Sequence, residues 1–231
     1  MAQDPRPAAL FDLDGTLTDP KPGITRSIQY ALERLGEPVP EADALTWMIG
    51  PPLEPSFAQI VGPGRAAEAV RLYRERYAVT GLYENEVIPG IPDCLERLRG
   101  THRLFVATSK PHVYGRRIVE HFGLMRFFEA FHGSELDGTN ADKRDLLRHL
   151  VAVEGLDPTR TVMIGDREHD VFGAAAVGSP AIGVLWGYGS EAELEAAGAA
   201  AIVTEVPEID AAVDALTQRP SAPRLGPTTA S

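Results

Sequence analysis

The chain has 231 residues, 44% of them hydrophobic, with 33 acidic against 22 basic side chains and a net charge of −11. That length and apolar content suffice for a full core, as one large domain or one domain with an insertion. The acidic balance excludes a broad nucleic-acid or anionic-membrane footprint, which needs clustered positive charge, but leaves room for a small anion in a locally positive pocket.

The N-terminal Met1-Ala2-Gln3-Asp4-Pro5-Arg6-Pro7 lacks the basic-then-apolar order of a signal peptide. No apolar run reaches the roughly 18 residues of a membrane span. The single cysteine, Cys94, permits no internal disulfide, so a reducing, cytoplasmic location is expected. In Asp93-Cys94-Leu95-Glu96-Arg97-Leu98 it reads as a packed thiol on an amphipathic helix.

Apolar runs at Ala8 to Leu13, Leu104 to Thr108, Val162 to Ile164, Ala181 to Leu185 and Ala201 to Val203 read as strands buried on both faces of a parallel sheet. Helices fit between them: Pro92 to Arg99, Val113 to Phe122, Asp142 through Val153, and His169 to Val177. The alternation predicts an α/β fold with a doubly wound, mostly parallel sheet. Residues 20–89 break the rhythm, with helical patterns at Gly23 to Leu35 and Arg65 to Tyr77 but no convincing strand. A stretch of about 70 residues exceeds an ordinary crossover and suits an inserted helical domain. The expected division is therefore a core of residues 1–19 and 90–218 and a helical cap of 20–89. The tail, residues 219–231, is rich in Pro, Ser, Thr and Gly and is expected to be disordered.

Chemistry gathers at the strand ends. The first strand runs into Asp12 and Asp14, and alternate residues of extended chain share a side, so both carboxylates can face one site beyond the sheet. Adjacent carboxylates repel, so a cation joins them or one holds a proton. One can then be nucleophile and the other acid and base. Thr108-Ser109-Lys110 ends a second strand with a hydroxyl and backbone amides suited to phosphate oxygens. Lys143 opens a helix, and Asp166 and Asp170 follow a third buried strand. An Asp-x-Asp alone reads more readily as a turn cap; the ordered set does not.

This set resembles the haloacid dehalogenase-like hydrolase superfamily over about 200 residues. Asp12-Leu13-Asp14-Gly15-Thr16 is similar to its first motif, Thr108 to the second, Lys143 to the third, and Gly165-Asp166 with Asp170 to the fourth. The resemblance implies a phosphatase in which Asp12 attacks phosphorus and becomes an aspartyl-phosphate, while Asp14 protonates the leaving oxygen and later activates water. It implies Mg²⁺ held by the Asp12 carboxylate, the Asp14 backbone carbonyl and Asp166. It also implies phosphoryl contacts from Thr108, Ser109 and Lys143, with Asp170 orienting Lys143 or a metal-bound water. Relatives commonly follow this lysine with proline, whereas here Arg144 follows, which leaves Lys110 as an alternative.

The second aspartate, Asp14, argues against halide displacement, which needs no proton. Thr108-Ser109-Lys110-Pro111, the segment Gly133 to Thr139 and Gly165 to Asp170 resemble the phosphoglycolate phosphatase and 5′-nucleotidase-like branch, and Ile49-Gly50-Pro51-Pro52-Leu53 resembles its cap loop. Such a protein acts on a small phosphorylated metabolite, with a nucleoside monophosphate or phosphoglycolate as the two leading expectations. Lys110, Arg116 and Arg117 are candidate substrate contacts, the two arginines more readily surface groups. Arg167 and His169 read as structural partners, and Trp47 and Trp186 as packing residues. The rival readings are a phosphosugar mutase of the same superfamily, a phosphorelay receiver and an inactive binding protein. A receiver is shorter, has no inserted cap and carries its aspartate on a middle strand, and here every catalytic position is filled.

Overall fold

The computed structural model describes residues 4–217. Strand β1 (Ala8–Phe11) is followed by a tight turn, the two-residue strand β2 (Thr18–Asp19) and helix α1 (Lys21–Leu35). Helices α2 (Leu53–Val61) and α3 (Pro63–Tyr77) come next, and β3 (Glu86–Val87) returns antiparallel to β2. The remainder alternates: α4 (Ile91–Leu98), β4 (Arg103–Pro111), α5 (His112–His121), β5 (Ala130–Ser134), α6 (Lys143–Glu154), β6 (Thr161–Gly165), α7 (Glu168–Val177), β7 (Ala181–Val184), α8 (Glu191–Ala197), β8 (Ala201–Val203) and α9 (Ile209–Thr217).

Six strands form one parallel sheet in the order β5-β4-β1-β6-β7-β8. The chain starts at the centre, winds outward through β4 and β5, then returns beside β1 and winds the other way. In sheets of this kind, ligands bind beyond the carboxyl ends of the strands where the winding direction changes. Here those strands are β4, β1 and β6.

Strand side chains alternate between two buried layers. Leu10, Phe105, Ala107 and Met163 face Leu147 and Leu150 of α6 and Val171 and Ala174 of α7. Phe11, Val106 and Ile164 join the opposite layer with Cys94 and Leu95 of α4, Ile118 of α5 and Val213 of α9. Cys94 is fully buried beside Asp210, and burial holds its thiol pKa up, which makes it the inert residue expected. No helix among the described residues is long and apolar enough to cross a membrane.

Several elements differ from the sequence expectation. The ladder of β1 stops at Phe11, two residues early. A strand does occur within residues 20–89, because β3 must pair with β2 where the chain leaves and re-enters the core. Strand β5 and helices α2, α8 and α9 were not anticipated. The expected disordered tail, 219–231, lies outside the described residues.

Between β2 and β3, helix α3 packs against both α1 and α2. Phe57 of α2 meets Tyr73 of α3 edge-on at 6.2 Å, and Tyr73 stacks on Tyr77 at 5.1 Å. Tyr77 in turn meets Tyr114 of α5 at 6.0 Å, which carries this aromatic column onto the sheet-bearing part of the molecule.

Candidate active site

At the carboxyl end of the sheet, β1 delivers Asp12, whose backbone N–H donates to Ile164 O at 2.9 Å. Gly15 follows in the left-handed region at φ +84°, and a β-carbon there would lie 2.3 Å from Asp166 Oδ2. Only glycine lets the turn after Asp14 approach Asp166 so closely.

Lys143 enters from the start of α6, where Asp142 caps the helix by accepting from Arg144 N at 2.8 Å. Its stem passes Gly173 of α7, where a β-carbon would lie 2.6 Å from Lys143 Cγ. The buried ammonium donates to Asp12 Oδ1 at 2.9 Å and to Ala107 O at 2.8 Å, and pairs with Asp170 Oδ1 at 2.7 Å. Burial opposes its charge, but the carboxylates of Asp12 and Asp170 outweigh that penalty and raise its pKa. Lys143 is therefore a fixed cation. Lys110, the alternative left open by Arg144, lies elsewhere in the same site: its Nζ is 2.5 Å from Asp14 Oδ2 and 5.1 Å from the Tyr77 ring centroid.

Asp14 Oδ1 is buried without a hydrogen-bond partner, and desolvation raises the pKa of this carboxyl against the pull of Lys110. Asp166 is 1% exposed. Its Oδ2 accepts from the backbone N–H of Tyr188 at 2.7 Å, and its Oδ1 has no partner. Burial first, and then the charges of Asp12 and Asp170, push its pKa well above the usual carboxylate range. Asp170 is raised to about 6, by burial first, against the pull of Lys143.

Oxygens of Asp12, Asp166 and Asp170 lie within 4.8 Å of one another. With every carboxyl ionised, four carboxylates would face only the two ammonium groups of Lys110 and Lys143, an imbalance that a bound cation relieves. Combined with the orphaned Asp166 oxygen, this all-oxygen donor set fits a hard divalent cation such as Mg²⁺. The Asp14 side chain is not part of this cluster.

Thr108 is buried in β4 where its register with β5 shifts, and its hydroxyl accepts from Lys110 N at 3.2 Å. The carbonyl of Ser109 accepts from Ser134 Oγ at 2.7 Å. Asp12, Asp14, Thr108, Ser109, Lys110, Lys143, Asp166 and Asp170 all border one cavity of about 1100 Å³. Ile49-Gly50-Pro51-Pro52-Leu53 borders it from the helical segment, beside Arg167, itself held by Glu193 at 2.8 Å. Arg116 and Arg117 are not at the cavity; they pair with Glu120 and with Tyr83. Trp47 is not the packing residue expected, since it is exposed away from the cavity, and Trp186 donates to Thr16 O at 3.2 Å, anchoring the turn after β1.

Sequence reasoning missed Tyr188. Its amide holds Asp166 while its hydroxyl donates to Asp19 of β2, so one residue bridges the acidic cluster and the strand leading into α1. The only sequence trace was its flanking glycines, where β-carbons would lie 2.3 Å (Gly187) and 1.9 Å (Gly189) from Asp166 atoms.

A family model described as haloacid dehalogenase-like hydrolase matches residues 9–184. The chain is 56% identical over 193 residues to a 5′-nucleotidase of Pseudomonas aeruginosa, covering 82% of this chain and 87% of that protein. It is 43% identical over 209 residues to the tyrosine-protein kinase PtkA of Mycobacterium tuberculosis, covering 90% and 71%. The crystal structure of a predicted phosphatase from Clostridium acetobutylicum superposes with a TM-score of 0.85 at 40% identity, covering 91% of this chain and 99% of that one.

Proposed function

The chain is a phosphatase of the haloacid dehalogenase-like hydrolase family, and we propose that it hydrolyses nucleoside 5′-monophosphates with Mg²⁺ through an aspartyl-phosphate on Asp12. The observation that carries the chemistry is the arrangement about Asp12: a fixed ammonium on one oxygen and a buried, charge-uncompensated Asp166 within reach of the same carboxylate. The similarity to the P. aeruginosa 5′-nucleotidase supports the substrate class.

Asp12, Asp166 and the backbone carbonyl of Asp14 would hold Mg²⁺, with Asp170 beside them. When bound, the ion neutralises charge on the acidic cluster and on a phosphate oxygen. Lys143, the Thr108 hydroxyl and the Ser109 amide take the other phosphoryl oxygens, and the Asp12 carboxylate attacks phosphorus in line. Asp14, its carboxyl raised by burial, gives its proton to the departing ribose oxygen and then takes one from the water that releases phosphate. Lys110 holds the Asp14 side chain toward the cavity. Phosphoryl transfer needs alignment and charge neutralisation above all, and this site supplies both.

Residues 20–89 act as a cap over a core of residues 1–19 and 90–218. Its apolar loop at Ile49 to Leu53 closes on the leaving group and limits bulk water during transfer. Two rivals keep the first half-reaction and change the acceptor: a mutase returns the phosphoryl group to a sugar hydroxyl, and transfer to a tyrosine is suggested by the name of the mycobacterial relative. Measuring inorganic phosphate from 5′-nucleotides, with phosphoglycolate, sugar phosphates and a tyrosine-containing peptide in parallel, separates them. Stoichiometric, Mg²⁺-dependent phosphate release from nucleotides supports the proposal; isomerised sugar or labelled peptide without free phosphate refutes it.

A further inference from the structure

The part of the cavity beyond the phosphoryl site must receive the leaving group, and its cations are almost all committed. Lys143, Lys110, Arg144 and Arg167 border it and are held by Asp12 and Asp170, by Asp14, by Asp142 at 2.6 Å and by Glu193 at 2.8 Å respectively. The fifth, Arg74 near the end of α3, is exposed and, among the described residues, its guanidinium has no ion pair or hydrogen bond. The helical segment's wall around the same cavity is otherwise largely apolar, with Met48, Ile49, Pro51, Pro52, Leu53 and Val70.

We propose that Arg74 reads the acceptor-bearing edge of the nucleobase, so that 5′-nucleotides of 6-oxopurines (guanine and hypoxanthine) are processed in preference to those of adenine. The inference rests on the nucleotidase reading above. A guanidinium carries donors only. A 6-oxopurine sets two acceptors, O6 and N7, side by side, which matches the planar fork in a bidentate pair. Adenine replaces the first acceptor with an amino donor, which faces the guanidinium with like polarity and leaves its donors unpaired. The apolar wall suits the faces of a base. A two-carbon acid would leave most of a cavity of about 1100 Å³ to water, whereas a nucleoside suits a site of that size. Arg74 also lies in the last turn of α3, where a cation complements the helix dipole. That role is blind to the base and so separates from recognition in a kinetic test.

The experiment compares kcat/KM for GMP, IMP and AMP in the native enzyme and in Arg74→Met and Arg74→Lys, with an aryl phosphate as reference and thermal melting as a check of folding. The native enzyme should favour the 6-oxopurines by about tenfold or more, the range expected of one bidentate pair. Arg74→Met should bring the ratio to within about twofold of unity, and Arg74→Lys, a point charge without the fork, should fall between. A native ratio near unity, or a ratio unchanged in Arg74→Met, overturns the inference while leaving nucleotidase activity standing. Turnover of the aryl phosphate with no hydrolysis of any nucleotide removes the nucleotidase reading and this inference together.

Discussion

The ammonium of Lys143 lies 2.9 Å from one carboxylate oxygen of Asp12, although the two residues are 131 positions apart in the chain. The same group donates to the backbone carbonyl of Ala107 and lies in ion-pair contact with Asp170.

Lys143→Met therefore strands the buried carboxylate of Asp170 and the partly buried one of Asp12. Removing one partner of a buried pair costs about 3–5 kcal/mol, and the variant should melt well below the native enzyme as well as lose phosphatase activity. Thermal unfolding followed by circular dichroism checks it. An unchanged melting temperature would show that the lysine contributes no net stabilisation.

Gly173→Ala sets two effects against each other. Replacing a helical glycine gains up to about 1 kcal/mol of helix propensity, but the new β-carbon would lie 2.6 Å from Lys143 Cγ and 3.1 Å from Lys143 O. The ammonium is pinned at three points, so the stem cannot easily yield, and overpacking at about 1–3 kcal/mol should win. Reduced stability and a lowered kcat are expected; a stabilised, fully active variant contradicts this packing.

Metal binding should be visible as a pH-dependent stabilisation. Asp166 and Asp170 have folded pKa values above the ordinary 3.8, with Asp170 at about 6. Their favourable contribution is complete below the unfolded value and is lost as pH rises through the folded ones. The metal-free protein should accordingly lose stability from this cluster upward from about pH 4, and the increment in Tm on adding Mg²⁺ should grow between about pH 5 and pH 7. Asp166→Asn should flatten that growth. Equal increments at both pH values would contradict a cation site built on these carboxylates.

General-acid catalysis by Asp14 should depend on the leaving group. Asp14→Asn should slow nucleotide hydrolysis by about 10²–10⁴-fold, and an aryl phosphate with a readily departing phenolate much less. Equal losses on both substrates would argue that Asp14 shapes the site without donating a proton.

Much of this arrangement was legible from residue pattern. Strands β1, β4, β6 and β7 carry apolar runs buried on both faces, β8 at the sheet edge is short but wholly apolar, and the chemistry follows three of the inner strands. Strand β5, Ala130-Phe131-His132-Gly133-Ser134, was not legible, because it mixes polar and small residues, whereas β8 at the opposite edge is wholly apolar. Helix α2 was hidden by Pro52 before it and Pro55 in its first turn, where proline is tolerated but reads as loop. Tyr188 escaped because its grip on Asp166 is a backbone amide, which no residue type announces. The two lysines that the departure at Arg144 left as alternatives each reach a different aspartate, Lys143 meeting Asp12 and Lys110 meeting Asp14.

The central claim, that Asp12 becomes phosphorylated during turnover, is tested most directly by rapid quenching with substrate followed by borohydride reduction of the acyl phosphate and peptide mass spectrometry. The expected result is homoserine at position 12, appearing only with substrate and Mg²⁺. Continued turnover with position 12 unmodified, or reduction mapped to a different carboxylate, would contradict it.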